Sequence, residues 1–120
     1  MKAKHDCYRL IQQIAVAQDI FCIIPGCGQL SQVGHHLFKR DRMATAFHPG
    51  AVRGLCNLHH GHARGKPEQF KKAMIGLMGF ERYYELQRLS KSVVKNTDYV
   101  AKRAELRGML ENFGKKAVNF

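Results

Sequence analysis
The chain has 120 residues and carries 20 Lys plus Arg against 9 Asp plus Glu, a formal net charge of +11. That length bounds it to one domain with a modest core, which a metal staple would reinforce, and the charge points to a polyanion partner, nucleic acid before an anionic membrane. No apolar run approaches the ~20 residues that span a bilayer. The opening MKAKHDCYRLIQQ is too polar for a secretory signal. A reducing cytoplasm is therefore the expected location, where 4 Cys and 7 His read as metal ligands before disulfides.

Leu10, Ile14 and Ala17, with Ile11 beside them, recur at helical spacing and predict a helix over 4–19. Cys7 falls inside that pattern and reads as a buried free thiol. Ile20 to Ile24 is a short β-rich run that Pro25-Gly26 ends. Cys22-Ile-Ile-Pro-Gly-Cys27 then forms a tight turn that presents two thiolates to one ion. Val33 to Phe38 and Ala51 to Cys56 read as two strands of a hairpin, joined by a basic loop from Lys39 to Pro49. Asn57 to Arg64 reads as a short helix with Asn57 as its cap.

Pro67 and Glu68 suit the first turn of the next helix. Its apolar stripe is Phe70, Ala73, Met74, Leu77 and Met78, and Gly79 interrupts it. Phe80 to Leu89 predicts another helix, in which Tyr83 and Tyr84 read as core before base-stacking residues. Thr97 is placed to cap a last helix carrying Val100, Leu106, Leu110 and Phe113. The tail from Gly114 to Phe120 is expected to fray. The stripe of the last helix is the sole sequence basis for a homodimer.

The ligand spacing is the strongest signal. Cys22-x4-Cys27 and Cys56-x2-His59 form two pairs, and three sulfurs with one imidazole satisfy tetrahedral zinc. Such a closed site is structural, and metal binding becomes folding free energy. His60 and His62 compete with His59 for the fourth position.

Inside this frame stand His35 and His36. Neighbours on a strand point to opposite sides, so the two imidazoles take different roles. One binds a metal, while the other deprotonates a water, a task suited to a group that titrates near neutrality. His60 would join the metal site. Lys39, Arg40, Arg42, Arg53, Arg64 and Lys66 surround this region and are candidate contacts to DNA phosphates. His5 and His48 read as surface residues, His48 within reach of DNA.

Together these residues resemble the HNH, or ββα-metal, nuclease superfamily. Val52-Arg-Gly-Leu-Cys-Asn57 is similar to the VRGLLCN segment of the phage recombination endonuclease VII family. The wider layout resembles phage recombination proteins of the NinG (Rap) type: Gly34-His35-His36, His48-Pro49, Leu55-Cys56-x-x-His59-His60 and Gly79-x-Glu81-Arg82-Tyr83-x-x-Leu86. This second likeness spans roughly residues 20 to 110.

The resemblance implies a zinc-stapled ββα core, and with the helical patterns on either side the chain reads as a small α+β fold, 1–120 as a single domain. Residues 1–20 are the N-terminal helix, 21–66 a zinc-stapled ββα core, and 67–113 a C-terminal helical extension. It implies structural zinc on Cys22, Cys27, Cys56 and His59, and a catalytic Mg or Mn on His35 and His60, with His62 as a further candidate. His36 takes the position of the general base.

The implied activity is phosphodiester hydrolysis in DNA, with branched substrates such as D-loops or Holliday junctions. A less selective HNH nicking enzyme and a zinc-stapled DNA-binding module with a decayed metal site are the alternatives. Two positions depart from the pattern. Ala51 stands where histidine-pair members such as the colicin DNases carry the Asn that orients the base. Arg64 stands where a third metal-ligating His is common. A zinc-dependent protein-interaction domain fits the charge poorly.

Overall fold
The computed structural model describes residues 2–118, with side chains described through residue 113. The elements run α1 (Lys2–Gln18), β1 (Val33–His36), α2 (Met43–Ala46), β2 (Val52–Leu55), α3 (Asn57–Gly65), α4 (Pro67–Met78), α5 (Phe80–Ser90) and α6 (Tyr99–Val118). Among the described residues this is a small α+β arrangement of six helices and one two-stranded sheet.

α1 buries the face that its spacing predicts. Cys7, Ile11, Ile14 and Ala15 are fully buried and pack with Phe47, Val52 and Leu106 into the main core. Cys7 is a free thiol there. The last helix supplies Leu106 to the same core, and Leu110 and Phe113 pack against it. That stripe is therefore intramolecular, which removes the sequence basis for a homodimer. Val100 alone of the predicted stripe is left exposed. Asp6 and Arg103 cross-link the two helices at 2.9 Å, and Arg9 also pairs with Asp6. The Arg103 hydrogen bond, more than any other contact, holds the Asp6 carboxyl below its usual range.

β1 and β2 are antiparallel, with Val33 opposite Leu55, Gly34 opposite Gly54, His35 opposite Arg53 and His36 opposite Val52. Both strands are shorter than the sequence pattern suggests, although Leu37 N–H still donates to the Ala51 carbonyl at 2.9 Å. The connection between them contains the short helix α2, where the sequence reading placed only loop. Leu55, with Cys22, Cys56 and Ala63, forms a second, smaller core on the other side of the hairpin.

Several local expectations change. Ile20 to Ile24 is not a strand; Phe21 and Leu30 form an isolated antiparallel bridge, because the chain must reverse at once around Cys27. Gly26 and Gly28, both at positive φ, flank Cys27 and allow that reversal. Cys56, not Asn57, caps α3, its Sγ accepting from the His59 N–H. Asp98, not Thr97, caps α6, its carboxylate accepting from the Ala101 N–H at 3.0 Å. α6 continues to Val118 instead of fraying at Gly114; a lone Gly costs a helix only about 1 kcal/mol. The last two tail positions lie outside the described residues.

On α4 only Met74 of the predicted stripe is fully buried, and Leu77 is 43 % exposed. α4 packs between α3 and α5, away from the main core, so a narrow line of contact suffices. Tyr83 is buried and packs on Phe38, which makes it a core residue. No helix among the described residues is long and apolar enough to cross a membrane.

Candidate functional site
Two sites meet on α3. The first is the cysteine cluster. The knuckle after α1 delivers Cys22 and Cys27, and the β2–α3 junction delivers Cys56 and His59. The four ligand atoms lie within 4.8 Å of one another. Cys27 Sγ is 3.8 Å from Cys56 Sγ. His59 Nδ1 is 3.3 Å from Cys56 Sγ and 3.5 Å from Cys22 Sγ. A tetrahedron with zinc bond lengths has sulfur–sulfur edges of about 3.8 Å and sulfur–nitrogen edges of about 3.5 Å. The donor set and its spacing therefore fit structural zinc. Cys22 and Cys56 are buried, as a closed site requires.

The competition for the fourth ligand is settled by helix phase. His59 enters the cluster. His60, about 100° further round α3, turns to the hairpin, where its ring centroid is 5.3 Å from that of His35. The His62 ring sits 5.6 Å from His59, lining a groove with Ile24, Lys66 and Phe70. His62 is thus outside the four-residue cluster and away from the His35–His60 pair.

The second site is an open cleft of about 1000 Å³ lined by His35, His36 and His60. Strand alternation divides the pair as expected. The His35 ring meets His60 and the edge of Phe70, 5.0 Å away. The His36 ring lies towards Tyr8, and its Nε2 is 2.9 Å from the Ala46 carbonyl oxygen. A carbonyl oxygen only accepts, so Nε2 carries the proton and the neutral ring keeps Nδ1 as a base.

Comparison with protein-family models, with curated proteins and with solved structures finds no match for this chain.

The cleft disfavours the protonated forms of His35, His36 and His60. Burial, followed by the charges of His60, His36 and Arg64, pushes His35 down to about 4. Burial and Arg64 lower His60. Burial lowers His36 against the opposing pull of the Ala46 hydrogen bond, and Arg40 adds to the lowering. Neutral imidazoles can bind a cation or accept a proton. Two imidazoles sharing one ion at about 2.1 Å place their ring centroids roughly 4.5–6.5 Å apart, and the His35–His60 separation of 5.3 Å lies within that span.

Of the six basic residues expected near the site, Lys39, Arg40 and Arg64 line the cleft. Arg42 is exposed just before α2, and Lys66 faces the His62 groove. Arg53 stands apart from these: its guanidinium makes two 2.9 Å bonds to the Asp19 carboxylate and is largely buried. This β2 side chain ties the residue after α1 to the sheet. His48 is half-buried, its Nδ1 accepting from the Gly50 N–H.

The sequence reading missed one wall of the cleft. His5, Tyr8, Arg9 and Gln12 of α1 line it. His5, Arg9 and Gln12 recur at helical spacing on the polar side of α1, a legible stripe whose destination depends on how α1 docks on the hairpin.

Proposed function
We propose that this chain is a metal-dependent DNA endonuclease of the HNH, ββα-metal kind, with the cysteine cluster as its zinc staple. The observation that carries the reading is the cleft that gathers His35, His36 and His60 beside Lys39, Arg40 and Arg64. β1, the segment that follows it and α3 line that cleft, and α1 forms a further wall.

In this reading His35 and His60 hold the divalent ion and His36 is the general base. Mg or Mn retains several waters and needs no further protein ligand; bound there, the ion would offset charge developing on the phosphate and the leaving oxygen. His36 Nδ1 takes a proton from a water, whose oxygen attacks phosphorus as the bond to the departing sugar oxygen breaks. The Ala46 carbonyl holds the tautomer that leaves Nδ1 free, and it stabilises the imidazolium that forms. Lys39, Arg40 and Arg64 seat the phosphates on either side of the scissile bond, which positions DNA without reading its sequence.

The +11 charge and the open shape of the cleft support a duplex or branched DNA substrate over a small phosphoester. The test is cleavage of linear, nicked and four-way-junction DNA with Mg, Mn or chelator, alongside His36→Ala. Metal-dependent cutting that the variant loses supports the enzyme, and preference for the junction supports a recombination role. Tight, metal-indifferent binding without cutting replaces it with a DNA-binding module.

A further inference from the structure
Gly34 and Gly54 face each other directly across the hairpin, one residue before His35 and one after Arg53. Each is pressed by α1 or the turn after it. A Cβ on Gly34 would lie 2.9 Å from Ala15 Cβ, and one on Gly54 would lie 2.9 Å from both the Asp19 Cβ and the Asp19 carbonyl. Only glycine on both strands lets the helix come this close.

The helix uses that approach to hydrogen-bond the strand. Gln12 Nε2 donates to the Gly34 carbonyl at 2.8 Å, and Gly34 N–H donates to Gln12 Oε1 at 2.7 Å. One side-chain amide thus satisfies both polar groups of a β1 residue on its free edge, as a third strand would. Opposite, the Asp19 carboxylate accepts from Gly54 N–H at 2.8 Å. Beyond the histidines, the Tyr8 hydroxyl donates to the Arg40 carbonyl at 2.9 Å, and the Arg40 guanidinium stacks on the Tyr8 ring at 4.4 Å. The segment that carries His35 and His36 is therefore fixed by α1 on both sides.

We propose that Gln12 is a positioning residue for the histidine pair, with Tyr8 holding the segment that follows. The proposal rests on the nuclease reading for its effect on rate. It supplies what Ala51 leaves missing: the loop and the base are held from α1 instead of by an asparagine side chain. Gln12 acts through the Gly34 peptide and on no reacting atom. Its loss lets His35 and His36 drift from the geometry that His60 and the substrate require, and displacements of about 1 Å cost on the order of a hundredfold in rate.

Gln12→Met keeps the length of the side chain and removes both bonds. Gln12→Glu keeps the acceptor for Gly34 N–H and loses the donor, and it serves if the first variant folds poorly. Three measurements apply: amide hydrogen exchange at Gly34, Mn affinity, and steady-state cleavage. In Gln12→Met the Gly34 amide should lose protection, Mn should bind at least about tenfold more weakly, and kcat should fall at least about tenfold with KM for DNA within about twofold. Gln12→Glu should keep the Gly34 protection and lie between the two in kcat.

Unchanged Gly34 exchange, or unchanged kcat and Mn affinity despite lost protection, overturns the proposal. If the wild-type chain does not cut DNA, the nuclease reading fails. The clamp then stands or falls on whether Gln12→Met weakens Mn binding while the protein stays folded.

Discussion
His59 and His60 are adjacent on α3, yet one ring completes a cluster of three thiolates and the other meets His35 across an open cleft. The cluster is small, sulfur-rich and mostly buried, so an ion held there has no free position for a substrate. The cleft is wide, nitrogen-bearing and rimmed by cations, so an ion there would keep water and admit a phosphate. The same residue type serves opposite ends because a step along a helix or a strand changes the direction a side chain faces. The division between staple and cleft can be attacked from either side.

The largest effect should come from the staple. Cys56→Ser, or prolonged chelation, removes a contribution that is about 10–16 kcal/mol for structural zinc in small peptides, comparable with or larger than a small domain's whole stability of about 5–15 kcal/mol. The variant should lose the cooperative thermal transition. Elemental analysis of the wild-type protein should find one tightly held zinc per chain. A Cys56→Ser protein with an unaltered melting curve would mean that the cluster staples nothing.

His36→Ala should do the reverse. Cleavage should fall by about 10²–10⁴-fold, the range for a lost general base, while zinc content and melting temperature change little. A parallel loss of zinc would show that staple and cleft are not separable.

Arg53 tests the boundary between scaffold and the proposed DNA surface. Asp19→Ala leaves a largely buried guanidinium unpaired and should destabilise by about 2–3 kcal/mol in a denaturant titration. Arg53→Met should weaken the fold, yet leave the salt dependence of DNA binding as it is. Arg64→Ala should lower that salt slope by about one counterion and cost little stability. Reversed results for the two arginines would put Arg53 in the proposed DNA interface.

A smaller effect is expected from acid. The unfolded chain takes up protons on these histidines near pH 6.5, whereas folding lowers His35 to about 4 and also lowers His36 and His60. The unfolded state therefore binds more protons between those values. The stability these rings contribute is complete above about pH 6.5 and is lost as pH falls towards 4. Denaturant midpoints measured across this window should decline, and the decline should be shallower in His35→Gln. The acid limb of any cleavage profile should likewise lie below the ordinary histidine value.

Much of the organisation is legible in the residues themselves. The pairs Cys22–Cys27 and Cys56–His59 are local spacings, so their convergence follows from a turn and a helix start. The hairpin is legible from its β-rich runs, and the different directions of the His35 and His36 rings follow from strand alternation. What stays hidden depends on docking. Nothing local tells Arg53 that Asp19 will lie beside it, or tells Gln12 that Gly34 will present a bare edge. α2 was missed because its four residues, Met43–Ala46, carry no periodic stripe. The apolar face of α6 was legible, but whether it met α1 or another chain was not. The resemblance to HNH nucleases is carried by short motifs around two histidines and a knuckle, and the α+β fold around them is consistent with many chains.

The Asp6–Arg103 link and the packing of α6 on α1 have a temporal consequence. α1 is synthesised before α6, which supplies Leu106 to the same core, so the cover over Ile11 and Ile14 is incomplete until α6 has been made. The histidine-bearing hairpin leans on α1 as well. A nascent chain, or one cut short before α6, should then hold its cysteine knuckle before its cleft takes shape, so metal capture precedes completion of the cleft.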